Sequence, residues 1–369
     1  MHPTAAKLRD FYAIKPGAPI IMDDFGWFTI DRWKNEGHIT CEQDIKDMFE
    51  FDPPGNYNLG HLGWCQAPFQ PYYEETVLED RGEHELARDR WGRHVLFFKN
   101  RRSGFMPEYV DHPVKDMRTW EENCKWRMNP DSPERFEDLD EHMGKAVEAA
   151  SEGKMIILNM VGGYMYLRSL IGPLELLYMF HDSPELIHDC MDTWFRVVDR
   201  VAGTYQKYIT VDEVFLAEDI CYNHGPLISP DMMREFLLPY YQQVIDNVKK
   251  RQIDKSRRLY LQVDTDGFCD PTIEVYGEIG LDYMSPFEVA SGCDVVRTGR
   301  EYPELRIRGG IDKRILATSK EAIDRELDRI MPVMKARGGY IPMCDHGVPE
   351  EVSFENYTHF RKRLQEYAD

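Results

Sequence analysis

The chain has 369 residues and carries 45 Lys and Arg against 65 Asp and Glu, a formal charge of −20. At roughly 100 to 200 residues per domain, that length holds one large barrel or two smaller units. The acidic balance repels phosphate backbones and anionic lipid, excluding nucleic acid and membrane as partners, and no apolar run approaches the ~20 residues that cross a bilayer.

The opening MHPTAAKLRDFYAIKPGAP has no apolar stretch before a small-residue cleavage site, so a cytoplasmic location is expected. PIIMDDFGWF (19–28) reads as a first strand ending in Asp23 and Asp24, with Trp27 just beyond, and TIDRWKNEG as a helical turn. Residues 70–125 read as an excursion of antiparallel strands with charged outer faces, turning at Arg81-Gly82 and Trp91-Gly92, which lids the site or dimerises the protein. From about residue 150 the pattern becomes regular: MIILNM (155–160), VFLAEDI (214–220), LYLQVD (259–264), LDYMSP (281–286), RIRGGID (306–312) and GGYIPMCDH (338–346) are strand-like runs. Amphipathic helical stretches separate them, the pattern of a parallel sheet with covering helices. Ser183, Ser229 and Ser319 are helix caps, the first two followed by Pro at the first helical position. Pro239 reads as a kink in the helix that follows Ser229.

The last five runs end in polar residues: Glu218-Asp219, Asp264 and Asp266, Glu288 after SPF, Asp312-Lys313, and Cys344-Asp345-His346. A closed parallel barrel gathers the carboxyl ends of its strands around one mouth, whereas an open doubly wound sheet spreads them along a crevice. No G-x-G-x-x-G follows a strand and no P-loop occurs, so dinucleotide and nucleotide-phosphate readings fall. The expected fold is therefore α/β, a (β/α)8 TIM barrel with an N-terminal antiparallel β excursion, forming one domain over residues 1–369.

Asp264 and Asp266 are two apart and point the same way on an extended strand, as metal ligands or a general base, or as acceptors that organise the loop. His346 lies at a strand-to-loop transition, where an imidazole serves catalysis or metal binding. Cys344 pairs with it as a ligand or is a buried inert thiol. Glu218 and Asp219 face opposite ways, and Glu218 is the one expected to look into the mouth. Asp312 and Lys313 form a loop-closing salt bridge or place Lys313 on the substrate. His181, His188 and His359 lie in helical stretches and read as ordinary packing or surface residues. The eight cysteines form no C-x-x-C pair, and most are expected as small buried hydrophobes.

GGYIPMCDHGVPEEVSFENY (338–357), GGIDKR (309–314), SPFEVASGCDV (285–295), DTDG (264–267) and LAEDICYNHGPLISPDMMREFLLPYY (216–241) together resemble the uroporphyrinogen decarboxylase superfamily. GWFTIDRWKNEG (26–37) and MPEYVDHPVKDMRTWEE (106–122) are similar to its decarboxylase-like, methyltransferase-related branch. The resemblance implies a single barrel with its site at the carboxyl ends, a fair expectation of a homodimer, and one of two chemistries. These are cofactor-free decarboxylation of a porphyrinogen, or zinc-assisted methyl transfer from a small substrate to a corrinoid protein. The arginine-rich loop of the decarboxylases is replaced here by MDDFGWFTIDRW, where Asp23 and Asp24 oppose a polyanion and Arg32 is the nearby cation. The His-x-Cys pair of the methyltransferases is replaced by Asp264-x-Asp266.

The expected function is accordingly a corrinoid-dependent methyltransferase of the O-demethylase type, acting on a small methoxylated or methylated substrate. Its catalytic residues are His346, Asp264 and Asp266. Zinc is held by Glu218, Asp264, Cys344 and His346, and the corrinoid is carried by a partner protein. Tyr164, Tyr166 and Arg168, which resemble a pocket-lining stretch, bind the substrate together with Asp23, Trp27 and Lys313. The alternative is a carboxy-lyase acting without cofactor on a porphyrinogen-like or other small carboxylated substrate, with Asp264 or Asp266 holding an N–H and His346 donating the proton.

Overall fold

The computed structural model describes residues 2–99 and 107–368. Among these, the parallel sheet is built from β1 (Asn56–Asn58), then, beyond an antiparallel insertion of β2 (Thr76–Arg81), β3 (His84–Arg88), β4 (His94–Phe98) and β5 (Glu108–Asp111), from β6 (Met155–Val161) and β7 (Glu213–Ala217). A small ribbon of β8 (Cys221–Tyr222) and β9 (Gly225–Pro226) follows, and β10 (Tyr260–Asp264), β11 (Tyr283–Ser285), β12 (Arg306–Arg308) and β13 (Tyr340–Ile341) complete it. The seven parallel strands run in the order β1-β6-β7-β10-β11-β12-β13. Each of the six runs expected after residue 150 overlaps one of these strands: β6 extends one residue beyond its run, β7 starts one residue before its own, and the other four are shorter than the runs that hold them.

Side chains alternate between the two faces of the sheet. Ile156, Leu158, Val214, Leu216, Leu261, Val263, Met284, Ile307 and Tyr340 join the main core under the helices. Met155, Tyr283, Ile341 and Met343 point the other way and meet Ile21, Phe11 and Tyr12 in a separate cluster. A cluster holding both Met155 near one edge and Ile341 near the other requires a sheet curled on itself. Helix Pro3–Tyr12 closes the amino-terminal end of this curl: the Tyr12 ring lies 4.2 Å from that of Tyr260, and the Tyr12 carbonyl accepts Arg306 Nε at 2.9 Å and Nη2 at 2.6 Å. Access is left at the carboxyl ends of the strands.

Three local expectations are corrected. Residues 20–24 form no strand: the Ile20 amide donates to the Ala368 carbonyl and the Met22 carbonyl accepts from the Asp52 amide, so ladder partners are replaced by contacts to the chain's end and to the loop before β1. The edge strand is β1 instead, a three-residue polar segment paired with β6 from Asn56–Met155 to Asn58–Ile157 and too short to show a pattern. Pro239 does not kink a continuous helix but sits in the first turn of a second one, Leu238–Arg251, after Pro230–Phe236, where its missing N–H costs nothing. Ser229 and Ser319 accept cap bonds from Met232 and Ala322, whereas the Ser183 side chain makes none. Within the expected 70–125 excursion, strands β2 to β5 are antiparallel, Ala87 and Val95 are buried on one face, and β2 is exposed throughout. Residues 100–106 of that stretch lie outside the described residues. No described helix is long and apolar enough to cross a membrane.

Inside the curl, a cavity of about 250 Å³ is lined by Glu213, Gln262, Tyr283, Arg308, Asn56 and Asn58, among others. Glu213 is fully buried and neither carboxyl oxygen has a hydrogen-bond partner. Burial pushes its pKa up to about 8, against the opposing influence of Arg308. An acid raised in the folded state penalises folding progressively from its unfolded pKa upward. Urea denaturation of Glu213→Gln should therefore match wild type near pH 4.5 and exceed it by pH 8 by on the order of 3 kcal/mol; an unchanged gap across that window would contradict the desolvation.

Candidate active site

The mouth is assembled from the loops that follow the strands. Asp264 ends β10 on the inner face, where Ser285 Oγ, at the end of β11, donates to its Oδ2. Gln262 Nε2 donates in turn to Ser285 Oγ at 3.1 Å. Two residues on, Asp266 lies 3.9 Å from His346 Nε2, both side chains a little over 40% exposed. Gly267, with φ +80°, makes this return possible, because a Cβ there would meet the Cys221 and Tyr222 backbone at 2.7 to 2.8 Å. Its amide donates to Glu288 at 2.9 Å. Lys313 Nζ reaches Glu288 at 3.0 Å, and the buried Asp345 accepts the Lys313 amide at 3.1 Å and the Val289 amide at 2.8 Å. On the opposite side Arg168 pairs with Asp219 at 2.8 Å.

Desolvation dominates the acid–base character of this mouth. Burial raises Asp264 to about 7, partly offset by the Ser285 hydroxyl, with Asp266 and Asp219 adding to the rise. Burial, then Asp219, raise Asp266 to about 6 while His346 opposes. Glu288 is lowered instead, because the Lys313 and Gly267 hydrogen bonds outweigh its burial. One mouth therefore holds two carboxyls that exchange protons near neutrality beside an anchored carboxylate, the separation that acid–base catalysis requires. The Cys65 thiol feels Asp219, Asp264 and Asp266, which places the 64–65 turn over the same floor. Exposed aromatic rings line the edge: Phe28 stacks on His346 at 6.1 Å, Trp64 on the inner-face Phe215 at 5.1 Å, and Phe25 lies under the Arg308 guanidinium. Asp219 and Phe287, each on a rim loop, adopt positive φ, +42° and +62°, backbone strain of a kind that concentrates at functional sites.

Of the residues expected at the site, Asp264, Asp266, His346, Lys313 and Arg168 border the mouth. Glu218 does not. It is fully buried on the outer face, taking Tyr241 Oη at 2.8 and 2.7 Å and the Tyr164 amide at 3.1 Å. A Cβ at Gly162 would strike its Oε2 at 1.8 Å, so Glu218 braces the turn after β6, and Asp219 is the one that faces the mouth. Cys344 is likewise buried in the main core, its amide directed to Asp24 Oδ1. No three of the expected zinc donors Glu218, Asp264, Cys344 and His346 come close enough among the described residues to share one ion. The side-chain alternation that turns Asp264 inward turns Glu218 and Cys344 outward.

Asp23 lies deeper in the curl, paired with Arg308 at 2.8 Å; Asp24 is on the other side of the backbone with Arg361 and Tyr357. Trp27 packs against Phe51 and Tyr357. Tyr164 and Tyr166 are fully buried with unpartnered hydroxyls. Tyr166 lies near Cys190 and Cys124 on the helix side, and Tyr164 near Arg168 and Asp219. Asp312 pairs with Arg314, not with Lys313. His188 meets the Tyr240 hydroxyl and His359 meets Asp324. Sequence reasoning passed over Ser285, Phe28 and Trp64: a lone serine at a strand end and rings in irregular loops carry no periodic signal.

Tyr241→Phe should destabilise the fold by about 1–3 kcal/mol in urea denaturation, since it strips the hydroxyl from a buried acid. Asp266→Asn, at the open rim, should leave far-UV circular dichroism unaltered and raise stability modestly above about pH 6, because it removes a carboxylate whose charged form burial and Asp219 disfavour.

Residues 106–367 match the model of the uroporphyrinogen decarboxylase (URO-D) family. Uroporphyrinogen decarboxylase of Syntrophotalea carbinolica is 22% identical over 174 residues, 46% of this chain and 48% of that protein. The chloroplastic uroporphyrinogen decarboxylase of Nicotiana tabacum is 28% identical over 181 residues, 48% and 42% respectively. The matched region thus spans about half the length of these curated relatives. Among solved structures, a methyltransferase from Methanosarcina mazei superposes over the whole of both chains with a TM-score of 0.59 at 13% identity, a likeness of fold. With the family model covering well over half of the sequence, the chain belongs to the uroporphyrinogen decarboxylase family.

Proposed function

We propose that the protein is an enzyme that moves a methyl group from a small methoxylated or methylated substrate to a separate corrinoid protein, with proton transfer at the mouth as this chain's share of the chemistry. The observation that carries the reading is the Asp264–Asp266 pair, held near neutrality beside His346 under a rim of exposed rings. An ether oxygen leaves poorly as an anion. Protonated Asp264 or Asp266 donates to that oxygen as its bond to the methyl carbon breaks, the methyl passes to the acceptor, and an alcohol or phenol departs. His346, within reach of Asp266, then returns the proton from solvent.

The charge pattern supports a neutral or cationic substrate. Arg168, Lys313 and Arg308 are each already paired with a carboxylate, which leaves no unpaired cation among these three for a polycarboxylate. Apolar rings such as Phe28 and Trp64, each 52% exposed, suit an aromatic or methylated group. The mouth's expected zinc donors are not brought together, so no step is assigned to a metal there. For the fold, we read the extended segment 20–24 as occupying the remaining place of a (β/α)8 barrel, supported by Ile21 joining the inner cluster of Met155 and Ile341.

The second reading is a cofactor-free decarboxylase, favoured by the same proton donors and by the missing metal-ligand set; there Asp266 or His346 protonates the carbanion left by carbon dioxide. Supplying the chain with a methoxylated aromatic and a corrinoid acceptor protein, and separately with a porphyrinogen, distinguishes them. Methylated acceptor supports the first reading, and carbon dioxide release without an acceptor supports the second. In either assay Asp264→Asn should lower kcat by about 10²–10⁴-fold with KM little changed. The wild-type rate should fall as pH rises through about 6 to 7, where Asp266 and then Asp264 lose their protons, because the protonated acid is the active form.

A further inference from the structure

The three loops that carry Asp219, Asp266 and Glu288 each bury a cysteine just beyond that acid: Cys221, Cys269 and Cys293. Cys269 Sγ and Cys293 Sγ are 3.8 Å apart, and these sulfurs together with an Asp270 carboxylate oxygen all lie within 4.8 Å of one another. Cys221 is close enough to act electrostatically on both thiols. Two thiolates on one tetrahedral zinc ion, at about 2.3 Å each, sit about 3.8 Å apart. Asp270 Oδ2 is held by Arg297 Nη2 at 2.6 Å, while Oδ1 has only a 3.5 Å approach from Thr298. That is the arrangement of a ligating carboxylate oriented by an outer partner.

We propose that Cys269, Cys293 and Asp270 form a site for one thiophilic divalent cation of the zinc class, separate from the mouth. Soft sulfur donors select such an ion over magnesium or calcium, and three protein donors leave the fourth position of a tetrahedral ion to water or a further donor. The site sits where it braces the rim. Cys293 Sγ lies 3.4 Å from the Gly267 carbonyl, on the residue that returns the chain after Asp266. Binding replaces thiol protons, which leave to solvent, so affinity is pH-dependent.

The test uses the full chain, purified under reducing conditions and stripped with chelator, then titrated anaerobically with cobalt(II) alone and competed with zinc. The expected result is one ion per chain with a thiolate-to-cobalt charge-transfer absorption, weakening by about a hundredfold or more per pH unit on acidification as two or more thiols reprotonate. Cys269→Ser and Cys293→Ser should lose the band, whereas Cys344→Ser and Cys41→Ser keep it. Alkylation of the unaltered chain, mapped by mass spectrometry with and without zinc, should show protection at Cys269 and Cys293, and decides the matter if a serine variant fails to fold. No charge-transfer band in the reduced wild type, equal labelling with and without zinc, or a band lost with Cys344→Ser would overturn the assignment.

Discussion

The cost of taking a carboxyl group out of water organises this molecule. Glu213 and Asp264 stand on the inner face of a curled parallel sheet, the first fully buried and the second half-buried, and burial drives each toward its protonated form. A neutral acid inside a protein tolerates burial and still has a proton to give. The difference between the two is their company. Glu213 has no hydrogen-bond partner and sits low in the curl beside Arg308, whereas Asp264 is held by Ser285 at the level where the strands stop. Position along the strand places the same penalty on an unpartnered acid in one case and on a hydrogen-bonded acid at the mouth in the other.

The helices impose the complementary constraint. Everything on the outer face must pack or pair without water, so Glu218 is enclosed by Tyr241 and the turn at Gly162, and Asp24 by Arg361 and Tyr357. These acids look like catalytic candidates by residue type and differ from Asp264 only in parity. The amino-terminal helix, seated on Tyr260, Tyr283 and Arg306, blocks the other end of the curl. Chemistry is left with a single open end, and the loops found there bear the positive-φ residues Asp219 and Phe287.

Those loops are also tied to one another. Asp345 collects amides from the loops after β11 and β12, Glu288 bridges Gly267 and Lys313, and Arg168 spans from the helix after β6 to Asp219. Arg168 and Lys313 are thus each spent on holding a loop in place. The mouth is preorganised by ion pairs, with its proton-exchanging carboxyls left over, a division that suits a substrate without strong negative charge.

Much of this architecture was legible in the chain alone. Apolar runs that recur after residue 150, most of them followed by polar residues and separated by amphipathic helical stretches, dictate a parallel sheet with its carboxyl ends together, since burial on both faces and short connections permit little else. The adjacency of Asp266 and His346, eighty residues apart in the chain, followed from that topology. Only the tertiary structure decided which member of each polar pair faces inward, because a shift of one residue in where a strand stops exchanges Glu218 for Asp219, and the run through Cys344 continues past Ile341 only as an isolated parallel bridge to Ile311. It also decided that Cys269 and Cys293 meet, and that Trp64 and Phe28 edge the mouth. Contacts between irregular loops depend on how the whole sheet curls, and no local pattern of residues encodes that curvature.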